Sequence, residues 1–160
     1  AMMTKRKLLL SALAMLSITG LAACHPAATD KNFAAVIHEA KTNYVGDNSK
    51  VIAIVSNLTY PHGAKFNSIE IHSAQEPYGL DVYLKTEGGS PTADDLFKNA
   101  AVTFSLIGNL SQLNYLDADN RRPLASFNRV NIQERLKASQ ENSLEKIANS
   151  PESIKSYLEQ

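Results

Sequence analysis

The chain reads as one α+β domain, an antiparallel sheet of about four strands with helices packed mainly on one face. Three observations predict it. Tyr78, Leu80, Val82 and Leu84 alternate with Gly79, Asp81, Tyr83 and Lys85, the period of a half-buried strand. Leu96, Phe97, Ala100, Ala101, Phe104 and Ile107 recur at the spacing of an amphipathic helix. Signals of both kinds follow one another in the order ααββαββαα.

The domain stands behind a leader. Lys5, Arg6 and Lys7 form a positive segment, and Leu8 to Leu21 is an apolar run diluted by Ser11, Ser17, Thr19 and Gly20. That run is too short for a comfortable membrane span, which takes roughly 20 residues. Leu21-Ala22-Ala23-Cys24 closes it, and this arrangement resembles the lipobox of a bacterial lipoprotein. The resemblance implies cleavage before Cys24, lipid on its thiol and a mature protein tethered on the extracytoplasmic face of the cell membrane. Two acyl chains on one thiol give stable anchoring where a single chain is marginal. Residues 1–23 are thus expected to be a signal peptide and 24–32 a lipidated tether, with the folded domain from 33 to 160.

Length and composition bound the rest. The 137 residues from Cys24 onward suffice for one domain core. They hold no second cysteine, so no internal disulfide is available. Beyond residue 23 there are 13 basic and 16 acidic side chains, a net charge of −3 with signs interspersed. No basic stripe is present, which argues against nucleic acid as a partner. Arg121-Arg122 beside a proline reads as a solvated turn.

The elements follow in order. Phe33, Val36, Ile37, Ala40 and Tyr44 predict a short helix over Phe33–Asn43, broken by Gly46. Asp47 or Asn48 caps a second helix with an apolar face of Val51, Ile52, Val55 and Leu58. Tyr60-Pro61-His62-Gly63 makes a turn. Phe66 to Ile71 alternates imperfectly and gives a first strand; Tyr78 to Lys85 gives a second. After the loop at Glu87–Pro91, Thr92 and Asp95 resemble a capping box, and the core helix follows. Leu110–Leu116 and Ala125–Val130 read as two more strands. Asn131 with Glu134 starts another helix. Ser150-Pro151-Glu152 marks the start of the last one: a cap, a proline at the first helical position and an acid for the helix dipole.

Several separated motifs carry a further resemblance. Tyr44-Val45-Gly46-Asp47-Asn48-Ser49-Lys50-Val51, then Leu58 and Pro61, Glu76-Pro77-Tyr78-Gly79-Leu80 and Lys98-Asn99-Ala100-Ala101 resemble the domain of unknown function DUF4825, over about 44–116. Members occur mostly in Gram-positive bacteria, as extracytoplasmic domains of lipoproteins or attached to membrane regulators. The resemblance implies sensing or partner binding and brings no catalytic residue with it. The motifs also have a local reading: Gly46 for a turn, Gly79 for close backbone approach.

Catalytic equipment is not apparent. His25, His38, His62 and His72 show no metal-ligand spacing, although His62 and His72 would meet if they flanked a hairpin. No nucleophile elbow and no phosphate-binding glycine loop occurs. Asp117 and Asp119 resemble the start of a calcium loop but lack its glycine and distal glutamate, and read as a turn. Of the tyrosines 44, 60, 78, 83 and 115, Tyr78 is in phase with the buried residues and Tyr83 points to the other sheet face. If that face is uncovered, Asp81, Tyr83 and Lys85 form a candidate partner-binding patch.

The expectation is therefore a membrane-anchored lipoprotein acting as a non-catalytic binding or sensory module. Its expected partners are the membrane, through Cys24, and another envelope protein or a small ligand. No catalytic residue, metal or cofactor is expected. The alternatives are an immunity-type inhibitor lipoprotein and a cell-envelope enzyme.

Overall fold

The computed structural model describes residues 32–160; the expected leader, Cys24 and the expected tether through Lys31 lie outside the described residues. Two short helices come first, α1 (Phe33–Glu39) and α2 (Asn48–Ser56), followed by a 3-10 turn at Pro61–Gly63. Then come β1 (Lys65–His72), β2 (Gly79–Lys85), α3 (Ala93–Leu106), β3 (Gln112–Asp117) and β4 (Pro123–Asn128). Three helices close the chain: α4 (Arg129–Gln140), α5 (Leu144–Ile147) and α6 (Pro151–Leu158).

Local chemistry sets most boundaries. Asp47, rather than Asn48, is the cap of α2, accepting a hydrogen bond from the Lys50 amide. Thr92 and Asp95 form a reciprocal capping box at the head of α3. Ser150 accepts from the Ser153 amide, with Pro151 in the first turn. The helix expected from Asn131 starts earlier, because Asn128 is its cap and accepts from the Asn131 amide. β4 correspondingly ends at Asn128 instead of Val130. Helix α1 stops at Glu39, short of Asn43, because Thr42 turns away to bridge Ile107: its amide donates to Leu106 O at 2.9 Å and its carbonyl accepts from Gly108 N at 2.9 Å. On α2 the buried face is Val51, Ile54 and Val55, with Ile52 only half-buried. Helix α5, absent from the sequence reading, is a four-residue element capped by Ser143 that buries Leu144 and Ile147.

The strands form one sheet in the order β1-β2-β3-β4. The two outer pairs are antiparallel hairpins. The central pair departs from the expected antiparallel arrangement: β2 and β3 run parallel. The cause is α3, which carries the chain back across the sheet before β3 begins, as a parallel connection demands.

The core lies on one face of that sheet. Leu80, Val82 and Leu84 from β2, Leu113 and Tyr115 from β3, and Ala125 and Phe127 from β4 are buried there. They meet α3, in which Leu96, Ala100, Ala101, Val102, Phe104 and Leu106 are fully buried. A helix buried on nearly every side is the central one of its domain. Gly46 and Gly79 sit at ordinary contact distances, 3.7 Å from Ser73 Oγ and 3.6 Å from Gln112 O for an added Cβ. The close approaches occur instead at Gly88, where a Cβ would stand 2.9 Å from the backbone oxygen of His62, and at Gly108, where it would stand 3.0 Å from Asn43 Oδ1 and 3.2 Å from its Cα.

Candidate functional site

The far face of the sheet is polar, and its side chains are paired in register. Glu70 lies opposite Asp81, Asp81 opposite Asn114, and Asn114 opposite Ser126. Residues directly opposite share a face, so a single polar row crosses all four strands. Asn114 Nδ2 donates to Asp81 Oδ1 at 2.9 Å. Asn114 Oδ1 accepts from Ser126 Oγ at 2.8 Å and from Gln112 Nε2 at 3.0 Å. At the β1 end, His72 Nε2 stands 2.9 Å from Asp81 Oδ2.

All three residues of the expected patch lie on this face, and each is already engaged. Asp81 is held by His72 and Asn114. Lys85 Nζ donates to Asp119 Oδ1 at 2.6 Å, which raises the ammonium pKa. The Tyr83 hydroxyl donates to Glu70 Oε2 at 3.1 Å and accepts from Arg121 Nη2 at 2.7 Å. The Arg121 guanidinium also lies 5.0 Å from the Tyr83 ring centre, a cation–π distance. Tyr83 is consequently only 7% exposed. It serves as the platform on which Arg121 rests, and Arg121 is the outer member.

Charge balance explains the arrangement. Glu70 and Asp81 are like charges directly across a strand pair, which is destabilising by itself. Arg121 Nη2, at 3.4 Å from Glu70 Oε2, and His72 offset them. The hydrogen bond to Asp81 lifts the His72 pKa above its ordinary value, with a smaller contribution from Glu70. Desolvation, then the bond to Glu70, raise that of Tyr83.

The sequence reading did not place Glu70, His72, Asn114 or Arg121 in the patch: it set His72 aside for want of ligand spacing and took Arg121 for part of a solvated turn. A signal for the first two was present: Ser68, Glu70 and His72 share one period-two phase. A hairpin brings that phase opposite Asp81 and Tyr83. Arg121 had none, because it reaches Tyr83 from a loop in which its own φ is +62°. The other histidines disperse. His62 Nε2 sits 2.9 Å from Asp95 Oδ2, so His62 and His72 take different carboxylates. His38 Nε2 lies 3.1 Å from Ala148 O. Asp117 is the last residue of β3, and its side chain caps the turn that follows at Ala118–Asn120. It accepts from the Thr86 hydroxyl and from the amides of Asp119 and Asn120.

The loop at Val45–Gly46 approaches Ser73 in the β1–β2 connection, and Val45 N donates to Asn109 Oδ1 at 2.7 Å. The first motif loop thus lies against the β1–β2 connection and the turn that precedes β3. A cleft of about 570 Å³ runs along β4 and α4, lined by Phe97, Ser126, Ile132 and Arg135 among others. Arg135 covers Phe97 there at 4.0 Å.

Among the described residues no helix is long and apolar enough to cross a membrane. Neither a curated protein nor a solved structure matches the chain. The family model described as a domain of unknown function, DUF4825, matches residues 37–145. That span takes in both motif loops, all four strands and the core helix. The chain belongs to the DUF4825 family.

Proposed function

We propose that the protein is a membrane-anchored extracytoplasmic lipoprotein that works as a non-catalytic binding or sensory module. Another envelope protein or a small ligand is taken on the open sheet face. The lipobox-like Leu21–Cys24 supports the address. One observation carries the binding half: Asp81, Tyr83 and Lys85 share the polar sheet face with the exposed Glu70, Arg121 and Asp119 and are tied to them and to Asn114 by hydrogen bonds. Side chains fixed before a partner arrives lose little freedom on binding. Arginine and tyrosine are also common anchors of protein interfaces. A protein partner would cover on the order of 800 Å² of this face.

The test is cross-linked recovery of partners from envelope extracts by the full chain. Arg121→Ala and Tyr83→Ala are each expected to lose what the native protein recovers. Tyr83→Phe keeps the ring under Arg121 and is expected to lose less. Equal recovery by all four proteins would move the interface off this face. Cys24→Ala is expected to abolish fatty-acid labelling and membrane retention; unchanged labelling would refute the anchor.

A further inference from the structure

We infer that Glu70, His72 and Asp81 form a binding site for a divalent transition-metal ion, and that Zn²⁺ is the ion they suit. The three donors come from two adjacent strands and lie on one face of the sheet. One ligand atom from each falls within 4.8 Å of the other two. His72 Nε2 and Asp81 Oδ2 are already 2.9 Å apart. Zinc bonds of about 2.0–2.1 Å in a tetrahedron set donor atoms ~3.3 Å apart. An ion entering between these two therefore parts them slightly. Glu70, whose side chain has three rotatable bonds, closes from the third side.

The outer contacts fit this arrangement. Metal-binding carboxylates are generally held by a neighbour through the oxygen that does not bind. Asn114 holds Asp81 through Oδ1, leaving Oδ2 toward the histidine. Tyr83 holds Glu70 through Oε2, and Oε1 accepts no hydrogen bond among the described residues. Strand pairing fixes the base of the site, because Glu70 and Asp81 are register partners. One imidazole with two carboxylates favours zinc or a neighbouring transition ion over calcium or magnesium, which take oxygen ligands. Three protein ligands leave a fourth position open.

One feature opposes the ion. Arg121 contacts the same carboxylate, 3.4 Å from Glu70 Oε2. The ion and the guanidinium thus compete for the charge of Glu70. This gives the assignment an unusual signature: removing one neighbour should strengthen binding while removing another weakens it. The site is measured on the protein alone, so it stands or falls separately from the partner reading.

The experiment is calorimetric titration of the chelator-washed full chain in detergent micelles with ZnCl₂. Ca²⁺ and Mg²⁺ serve as controls, and each variant is checked for unchanged circular dichroism. The native protein is expected to take one Zn²⁺ and neither control ion at the same concentration. His72→Ala and Asp81→Asn are expected to weaken binding at least tenfold. Asn114→Ala, an outer-contact change, is expected to weaken it by roughly 10-fold or more. Arg121→Gln is expected to tighten it. No saturable Zn²⁺ uptake by the native chain would overturn the assignment. Uptake unchanged in both His72→Ala and Asp81→Asn would also overturn it, by moving the ion to other histidines.

Discussion

Arg129 Nη2 donates to the carbonyl oxygen of Ile107 at 2.6 Å, so a residue at the start of one helix closes the end of another. The same guanidinium reaches Phe104 O at 2.9 Å and, through Nε, Leu110 O at 2.8 Å. The last carbonyls of a helix have no partner within it, and a cation there also meets the negative end of the helix dipole. Desolvation lowers the Arg129 pKa, yet the group stays charged, since arginine titrates far above neutrality.

Arg129→Ala should therefore lower stability by about 2–4 kcal/mol, since hydrogen bonds to charged groups are worth about 1.5–3 kcal/mol each and are not additive. Arg129→Lys should recover part of the loss. Denaturant titration of the full chain checks both. A loss below 0.5 kcal/mol, roughly the scatter of surface substitutions, would show that the clamp contributes nothing.

Phe104 is fully buried on α3. Truncation to alanine removes an aromatic ring from the packed centre and should cost about 3–5 kcal/mol. Thermal melting that is the same for Phe104→Ala and the native chain would place the core elsewhere.

Tyr115 presents the opposite case. Its ring packs edge-on against Tyr60 and Phe127, with centroids 6.2 and 6.1 Å away. Its hydroxyl is buried without a hydrogen-bond partner among the described residues; burial pushes its pKa up, and the neighbouring Thr103 pulls it partly back. An unsatisfied buried polar atom costs about 1–3 kcal/mol. Tyr115→Phe should thus leave stability unchanged or raise it. A clear loss of stability would mean that the hydroxyl has a partner, such as an internal water.

Asp117 gives a pH dependence. The Thr86 hydroxyl, then the Asp119 amide, hold its pKa below the ordinary 3.8. The folded state thus favours the carboxylate more than the unfolded chain does. The resulting stability is fully present above pH 3.8 and is lost as pH falls through the lower folded value. Asp117→Asn should flatten this acid limb and leave the slope above pH 5 alone. Acid unfolding curves of the two proteins would superimpose if the group were unperturbed.

What could be read from the sequence had local causes. Thr92, Asp95, Ser150 and Pro151 mark helix starts because a cap is settled within four residues of chain. Leu80, Val82 and Leu84 mark a strand because one covered face leaves an alternating trace. What escaped depends on partners distant in sequence. Thr42 ends α1 early by bridging Ile107, and nothing near Thr42 announces that. Asn128 and Asn131 both look like caps, and the β3–β4 register decides between them. Helix α5 is too short to show a period. The patch was half legible: Asp81, Tyr83 and Lys85 follow from alternation in one strand. Glu70 and His72 need the hairpin register, and Arg121 needs the path of a loop.

The parallel seam between β2 and β3 also governs how the chain folds. Each outer hairpin closes over a few residues, so both can form early. Joining them pairs Val82 with Tyr115 across the whole of α3, and long-range closure of this kind is the slow part of folding. Substitutions along that seam should therefore slow folding, and those in the outer strands should chiefly hasten unfolding. Chevron kinetics for Val82→Ala against Ala125→Gly would separate the two, and equal partition of both would remove the seam from the transition state. Until the seam closes, Leu80, Val82, Leu113 and Tyr115 have no cover, and the half-made sheet exposes its apolar face to other chains during that interval.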